Sequence, residues 1–283
     1  MDRPSLVVVG TGIRIFGQMT TEAVAWIRIS EKVLYVADDP VAREILTSLN
    51  PSAESLAGLY AERKRRRQTY QEMVDRVLES VRSGKKTCLV FYGHPGLYCW
   101  PGHEAIRQAR REGYTARMLP AVSAEDCLFA DLGLDPATHG CLSYEATDFL
   151  MNGRHADPAS LLILWQVGII GNPFFRSNGC DLTALPLLME RLCRVYGADH
   201  SGILYAAPIE WGGEPSVQHV HLGRLGDAQI SSSSTLCVPP SQPPRPDLEM
   251  YKRLNLSPPQ ESQTTLPSQR VPSLGASRKR ARK

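Results

Sequence analysis

Apolar and polar positions along the first part of the chain predict alternating strands and helices. Residues 6–9 and 87–90 are short, largely apolar runs that predict buried strands, and residues 32–36 predict another. Between the strands at 6–9 and 32–36, residues 20–30 predict a helix, with Thr20 as N-cap and an acidic residue in the first turn. A strand, a glycine turn, a helix and a strand form a βαβ unit, which requires a parallel sheet.

The longest helical pattern covers residues 55–82. Its second part carries an apolar stripe that would pack on the sheet, formed by Met73, Val74, Val77, Leu78 and Val81. Its first part, residues 62–67, reads Glu-Arg-Lys-Arg-Arg-Arg. Most of these arginines are expected to lie on a solvent-exposed face of the predicted helix. Residues 102–113 and 124–132 predict two further helices, and residues 116–119 predict a strand between them.

The pattern changes after residue 135. Short strands with polar or Gly/Pro breaks are predicted at 141–144, 161–167, 202–207, 217–222 and 234–238, and one helix at 182–196. Such spacing favours a mixed or antiparallel sheet. The chain is therefore predicted to be an α/β protein with an N-terminal parallel-sheet domain at 1–125 and a C-terminal mixed-sheet domain at 126–239. Residues 240–283 are rich in Pro and Ser and end in a basic run, which predicts a disordered tail.

Composition narrows the class of protein. With 283 residues, 42% hydrophobic and 22% charged, the chain has the make-up of a globular enzyme. The net charge of +3 is too small to imply nucleic acid as a partner, and no apolar run is long enough to span a membrane. The N-terminus lacks a signal-peptide layout. The seven scattered cysteines contain no C-x-x-C pair, which predicts reduced thiols in a cytoplasmic protein without a metal site.

The loop at residues 91–98, Phe-Tyr-Gly-His-Pro-Gly-Leu-Tyr, directly follows a predicted buried strand. Its glycines and proline allow the backbone to lie against a ligand. Ligands of open α/β sheets bind at the carboxyl ends of strands. The loop is therefore a candidate binding site, and the alternative is a tight turn without a ligand.

Two further loops follow predicted strands of the same sheet. Gly10-Thr11-Gly12 is not a dinucleotide fingerprint, because the third glycine position is occupied by Ile15. We expect its glycines to make room for a close turn beneath another loop. Ser123 stands where a strand gives way to a helix, so it is either a helix N-cap or part of a ligand site.

Three motifs in this order resemble the tetrapyrrole (corrin/porphyrin) methylase superfamily. They are Val-Gly-Thr-Gly-Ile at 9–13, Tyr-Gly-His-Pro-Gly at 92–96 and Pro-Ala-Val-Ser-Ala-Glu-Asp at 120–126. The resemblance covers residues 5 to 240. It implies a two-domain α/β fold with S-adenosyl-L-methionine in the cleft between the domains and S-adenosyl-L-homocysteine as the product.

A closer resemblance is to the borosin peptide backbone α-N-methyltransferases. It rests on the 91–96 and 120–126 motifs together with Phe-Ala-Asp at 129–131, Tyr-Glu-Ala-Thr at 144–147 and Trp-Gln-Val-Gly at 165–168. Tyr60, Arg66 and Tyr70 match the group's catalytic Tyr/Arg/Tyr arrangement. The resemblance implies that Arg66 polarises the substrate carbonyl and that Tyr60 or Tyr70 is the base. In a helix, Arg66 and Tyr70 would share a face.

The resemblance also implies a set of cofactor-binding residues. These are Tyr92, His94, Leu97, Tyr98, Ser123, Ala124, Gln166, Tyr205, Ala207, Ser234 and Thr235. His94 is assigned to binding only, not to acid or base chemistry.

The borosin resemblance implies a ribosomally made precursor peptide as substrate and a homodimer, with two enzymes and two peptides in the complex. Residues after Pro239 are polar and Pro-rich, which predicts the split form of the system, with the precursor as a separate chain. The alternatives are a small-molecule, tetrapyrrole-like methyltransferase and a noncatalytic peptide-binding homologue. Neither nucleic acid nor a membrane is an expected partner.

Overall fold

The computed structural model describes residues 5–37, 39–177, 179–210 and 212–258. The chain forms two compact units. The first runs to Cys127 and also includes residues 172–180 and 207–215. The second comprises residues 128–171 and 181–206 and the chain from Ser216 onward. Two segments from the second half of the sequence therefore belong to the first unit.

The first unit is built on a parallel five-stranded sheet with the order β3-β2-β4-β1-β5. The strands are β1 (Leu6–Gly10), β2 (Lys32–Val36), β3 (Ala53–Ser55), β4 (Thr87–Phe91) and β5 (Ala116–Met118). The central strands β1 and β4 are fully buried because helices cover both faces of the sheet. The parallel sheet predicted from the βαβ pattern is confirmed.

Helices supply both outer layers of this sheet. They are α1 (Ile15–Gln18), α2 (Thr21–Ile29), α3 (Pro40–Leu49), α4 (Arg66–Arg82) and α5 (Trp100–Arg111). Apolar residues of α4 and α5 pack on one face, and those of α2 and α3 on the other. Thr20 caps α2 as predicted, because its side chain accepts a hydrogen bond from the Ala23 N–H. Helix α6 (Ala124–Leu132) also matches its predicted bounds.

The predicted helix over residues 55–82 is wrong in its first part. Helix α4 begins only at Arg66. Residues 53–55 form β3, which pairs with β2, and residues 57–59 form a 3₁₀ turn. Pairing with distant segments overrides local helix propensity here. Sequence analysis also missed α3, which Asp39 caps through hydrogen bonds from the N–H groups of Val41 and Ala42.

The second unit contains a mixed sheet with the order β6-β7-β10-β8-β9. Its strands are β6 (Cys141–Glu145), β7 (Leu161–Trp165), β8 (Ser201–Ala206), β9 (Ser216–His221) and β10 (Thr235–Val238). Strands β6 and β7 are parallel, and the other pairs are antiparallel. Helices α7 (Ala146–Met151) and α8 (Leu185–Tyr196) cover one face with a large apolar core. The predicted fold class, a parallel and a mixed sheet, is confirmed.

The part of the predicted tail that the structure describes contains a short helix, α9 (Leu248–Arg253). Residues 259–283, which include the basic run, lie outside the described residues. No helix among the described residues is long and apolar enough to cross a bilayer. The seven cysteines all lie among the described residues, and none of them forms a disulfide.

Candidate active site

The loops that follow β1 and β4 pack directly against each other. A Cβ atom at Gly10 would lie 2.0 Å from the carbonyl oxygen of Gly93, so only glycine fits. Gly12 and Gly93 exchange backbone hydrogen bonds of 3.3 and 3.0 Å, and both have positive φ angles of 70°. The prediction that Gly10-Thr11-Gly12 makes room for another loop is confirmed.

The loop after β4 presents aromatic and apolar side chains to solvent. Tyr92, Leu97 and Tyr98 are exposed at 45%, 44% and 50% despite their size. Tyr98 also has a positive φ of 50°, which is unusual for a residue with a bulky side chain. The Nδ1 of His94 accepts a hydrogen bond of 3.0 Å from the Gly96 N–H, so this histidine holds the shape of the loop.

Ser123 is buried at the start of α6. Its hydroxyl donates to Asp126 Oδ2 at 2.7 Å and accepts from the Asp126 N–H at 3.2 Å. The serine is therefore a helix N-cap, and any contact with a ligand would come from the backbone around it and Ala124. Ala124 begins α6 and is partly buried.

Tyr60 and Tyr70 lie together in the first unit. The two phenols are close enough that each side chain acts on the pKa of the other. Tyr60 follows the 3₁₀ turn at 57–59, and its ring stacks at 4.9 Å from that of Phe175. Tyr70 lies one turn into α4. Both phenols are partly buried against the core beneath α4.

Arg66 is the first residue of α4 and is held by the segment that starts at Asn172. Its Nη1 donates to the Asn172 carbonyl oxygen at 2.6 Å, and its backbone N–H donates to the Pro173 carbonyl oxygen at 2.9 Å. The guanidinium is close enough to act electrostatically on both Tyr60 and Tyr70. Tyr60, Arg66 and Tyr70 are therefore one cluster.

Burial and the neighbouring positive charge shift the pKa values of the two phenols in opposite directions. Desolvation raises the pKa of Tyr60 and of Tyr70 above the usual range, and the Arg66 charge lowers both. The two pKa values differ in what acts beside desolvation: at Tyr60 the neighbouring Tyr70 adds most to the rise, whereas at Tyr70 the Arg66 charge is the largest influence against it. Tyr70 is thus the easier of the two to deprotonate.

The remaining predicted binding residues lie in the second unit, except Ala207, which belongs to the first. Gln166 directly follows β7 and has a left-handed backbone with φ 61°. Ser234 and Thr235 are buried at the start of β10. The Tyr205 hydroxyl donates to Asp131 Oδ2 at 2.7 Å, so this side chain is already engaged inside the unit. Ala207 follows β8 and is partly buried.

A pocket of about 360 Å³ opens in the second unit beside β8 and β9. Its lining includes Tyr205 and Ser234 of the predicted set together with Gln218, Gln229 and Ser231. Gln218 binds both the N–H and the carbonyl oxygen of Gln229, and the Ser231 N–H donates to Ser234 Oγ at 2.8 Å. The pocket therefore has fixed amide and hydroxyl walls.

Sequence analysis missed Asn172 and Phe175, which contact Arg66 and Tyr60, because both lie more than 100 positions away without a marking motif. It also missed Cys99, a partly buried thiol that raises the pKa of both phenols and whose own pKa is raised by desolvation to about 12. Within the described part of the chain, no three His, Cys, Asp or Glu side chains come together as metal ligands.

The fold and these loops define a class of protein. The family model of the tetrapyrrole (corrin/porphyrin) methylases matches residues 5–199. The chain belongs to that family.

Relatives define the particular group. A methyltransferase/type I borosin cyclic peptide precursor of Coprinopsis marcescibilis is 40% identical over 93% of this chain and 69% of its own length. Precursors named for dendrothelin A (Dendrothele bispora) and omphalotin A (Omphalotus olearius) are 42% and 40% identical over 83% and 90% of this chain. The chain is a member of the borosin methyltransferase group, as its motifs indicated. It spans 58% and 62% of the length of the latter two relatives.

Solved structures with the same fold have little sequence in common with the chain. A cobalt precorrin-4 methyltransferase has a TM-score of 0.60 at 17% identity, covering 84% of this chain and 97% of that one. A uroporphyrin-III C-methyltransferase of Thermus thermophilus has a TM-score of 0.61 at 19% identity, covering 92% of this chain and all of that one. These likenesses concern the fold alone.

Proposed function

We propose that this protein transfers the methyl group of S-adenosyl-L-methionine to backbone amide nitrogens of a peptide. The observation that carries the proposal is the Tyr60–Tyr70 phenol pair beside the Arg66 guanidinium. Membership of the borosin group supports it, because the names of its relatives combine a methyltransferase with a cyclic peptide precursor.

The residues present fit this methyl donor. S-adenosyl-L-methionine supplies an electrophilic methyl group on a sulfonium sulfur. In the first unit, the exposed Tyr92, Leu97 and Tyr98 offer an aromatic and apolar surface suited to a sulfonium and its aliphatic chain. In the second unit, the amide and hydroxyl walls of the pocket at Ser234 suit a nucleoside. We assign the remaining binding roles to His94, Ser123, Ala124, Gln166, Tyr205, Ala207 and Thr235.

The proposed chemistry needs a base because an amide nitrogen shares its lone pair with the carbonyl. Its nucleophilicity rises when the N–H proton is withdrawn and an imidate develops. We assign this role to Tyr70, because the Arg66 charge lowers its pKa and so favours its phenolate form. Tyr60 would then donate a hydrogen bond to the negatively charged Tyr70 oxygen and stabilise it.

Arg66 is suited to polarise the substrate carbonyl. Its guanidinium already binds an amide carbonyl oxygen, that of Asn172, at 2.6 Å. A guanidinium has five N–H donors and stays charged at all physiological pH values. A second carbonyl oxygen, from the substrate, would gain charge as the imidate forms and would be stabilised by the same group.

The proposal includes the assembly that the sequence predicts, a homodimer acting on a precursor peptide in a complex of two enzymes and two peptides. It also includes the split form, in which the precursor is a separate chain. The relatives reported above combine both parts in one name, so substrate supply in trans is tested separately below.

The test is mass spectrometry of peptides incubated with the protein and S-adenosyl-L-methionine. We expect mass increases of one methyl group each, located by fragmentation on backbone nitrogens, with matching release of S-adenosyl-L-homocysteine. Methylation of added peptide supports the split form, and methylation found only within the enzyme's own polypeptide contradicts it. Methyl transfer to a tetrapyrrole but to no peptide would support the small-molecule alternative. Peptide binding without any transfer would support the noncatalytic one.

A further inference from the structure

We propose that Arg63, Arg65 and Arg67 form a docking surface for an acidic segment of the substrate peptide. The inference rests on the proposed function for the identity of the substrate. It assigns recognition to three guanidinium groups that alternate along the chain with Lys64 and the catalytic Arg66. The proposed partner chemistry is a short run of Asp and Glu carboxylates outside the methylated region of the peptide.

The backbone holds this surface in place next to the phenol pair. Residues 63–66 run antiparallel to residues 173–175. The Arg63 N–H donates to the Phe175 carbonyl oxygen at 3.0 Å, and the Phe175 N–H donates to the Lys64 carbonyl oxygen at 2.8 Å. Phe175 in turn stacks on Tyr60. A ligand bound to these arginines would therefore lie close to the proposed catalytic cluster.

The three guanidinium groups are exposed, and no carboxylate of the described residues forms an ion pair with them. Seven other exposed arginines among the described residues form an ion pair with a neighbouring carboxylate: Arg76, Arg82, Arg107, Arg117, Arg154, Arg194 and Arg224. Arg63, Arg65 and Arg67 differ from these because they lie within five residues of one another and none is in such an ion pair in the described part of the chain.

Aromatic rings orient two of these guanidinium groups. Arg67 lies over the Trp100 ring at 3.7 Å, and Arg65 over the Phe174 ring at 5.4 Å. Stacking fixes the plane of a guanidinium and leaves its N–H edge for a carboxylate, which it can bind in bidentate fashion. Arg67 also lowers the pKa of Glu104, but that carboxylate already accepts from Arg107 and Gln108.

The positive charges of these arginines are energetically unfavourable at the place in the fold where they lie. Helix α4 begins at Arg66, its N-cap Arg65 makes no side-chain cap, and its first turn contains no acidic residue. Cations are unfavourable at the positive end of a helix dipole. Carboxylates bound by the three arginines would offset this repulsion. In this proposal the guanidinium groups bind the ligand, and the helix N-terminus does not.

Charge in the vicinity favours an acidic peptide over a nucleic acid. Lys64 is paired with Glu72, and Glu62 lies on the other side of the arginines, bound by Ser177. The cationic surface is therefore short and bordered by carboxylates. A polyphosphate chain would extend past its edges toward these acidic groups, whereas two or three carboxylates fit within it.

The test measures binding of two fluorescent peptides to the full chain by anisotropy. One peptide contains four Asp and Glu residues, and the other contains Asn and Gln at the same places. We expect the acidic peptide to bind more tightly, and its binding to weaken with added salt. The triple variant Arg63→Gln, Arg65→Gln, Arg67→Gln should bind it about tenfold more weakly or worse.

A matched control removes the same charge elsewhere. Arg28, Arg43 and Arg111 are also exposed and form no ion pair within the described part of the chain, but they are dispersed over α2, α3 and α5. Their triple substitution by Gln should leave acidic-peptide binding near wild type. Equal losses in the two triple variants would attribute binding to net charge and overturn the proposal. It is equally overturned if the amide peptide binds as well, or if an RNA oligonucleotide competes better through the same arginines.

Measurements of KM and kcat for peptide methylation distinguish this inference from the proposed function. With an apolar target peptide joined to the acidic segment, the Arg63/Arg65/Arg67 variant should show a raised KM and little change in kcat. Methylation with an unaltered KM would refute the docking surface and leave the methyltransferase function intact. If the variant loses binding of the acidic peptide but neither it nor the wild-type protein methylates any peptide, the proposed methyltransferase function is refuted and the docking surface is retained.

Discussion

The phenols of Tyr60 and Tyr70 lie together beside Arg66, although the two residues stand on different local structures. Tyr60 leaves a 3₁₀ turn, whereas Tyr70 belongs to α4, and Arg66 acts electrostatically on both. The two phenols are unequal, because Tyr70 and Cys99 add to the burial that raises the pKa of Tyr60, whereas the Arg66 charge is the largest influence that opposes burial at Tyr70. This asymmetry supports the choice of Tyr70 as base, which the motif alone left open.

Replacing Tyr70 with Phe should reduce single-turnover methylation of a peptide more than replacing Tyr60. Loss of a general base costs about 10²- to 10⁴-fold in rate. Tyr60→Phe removes only the hydrogen bond that stabilises the Tyr70 oxygen, so we expect a smaller loss. Tyr196→Phe is the control, because Tyr196 lies in the second unit and its hydroxyl donates a hydrogen bond to the Asp157 carbonyl oxygen at 3.4 Å. Wild-type rates in Tyr70→Phe would refute the assignment.

Arg66→Lys should reduce methylation about 10²- to 10³-fold even though the positive charge is kept. Lysine cannot reproduce a planar guanidinium that reaches the Asn172 carbonyl oxygen and a substrate carbonyl together. Arg76→Lys on the same helix, where the side chain pairs with Glu54 and Glu79, should retain activity. Equal rates for the two variants would contradict a polarising role for Arg66.

The methylation rate should rise with pH through neutrality. Burial raises the pKa of Tyr70 above its ordinary value, so the reactive phenolate is a minor species at pH 7. Below its pKa, the deprotonated fraction grows about tenfold per pH unit, and the rate should follow. The measurement is single-turnover rate from pH 6 to 9 under saturating substrate. A plateau near pH 7 would rule out a phenol with a raised pKa as base.

Gly10→Ala should destabilise the protein by about 1–3 kcal/mol, the usual cost of overpacking. The added Cβ would lie 2.0 Å from the Gly93 carbonyl oxygen, so the loops after β1 and β4 must separate. Gly17→Ala provides the control, because a Cβ there meets nothing within 4 Å. Denaturant unfolding gives both values. A Gly10→Ala protein as stable as Gly17→Ala would show that the loops tolerate separation.

Gly168→Ala should weaken binding of S-adenosyl-L-methionine. A Cβ at Gly168 would lie 2.0 Å from the Ser231 carbonyl oxygen and would displace the 231–234 loop, which includes Ser234. Gly226→Ala in the same unit meets only the Met189 sulfur at 3.8 Å and serves as control. Calorimetric titration measures both. Unchanged affinity in Gly168→Ala would exclude the 231–234 loop from the donor site.

Much of the secondary structure followed from local pattern. The buried strands β1, β2 and β4, the Thr20 cap and the helix at 124–132 were predicted closely, because apolar runs and capping residues act over a few positions. The helix predicted over 55–82 was wrong before Arg66. Its early residues are instead held by β2 and by residues 173–175, partners that no local pattern reveals.

The sequence by itself determined the α/β class, the two kinds of sheet and, through ordered motifs, the family. Short-range patterning and motif order suffice for these because each depends on neighbouring residues. Only the tertiary structure decided that Tyr60 meets Tyr70 and that Arg66 meets Asn172, 106 positions away. Contacts of that kind arise from chain reversal and long-range backbone pairing, so they become visible only after the chain has folded.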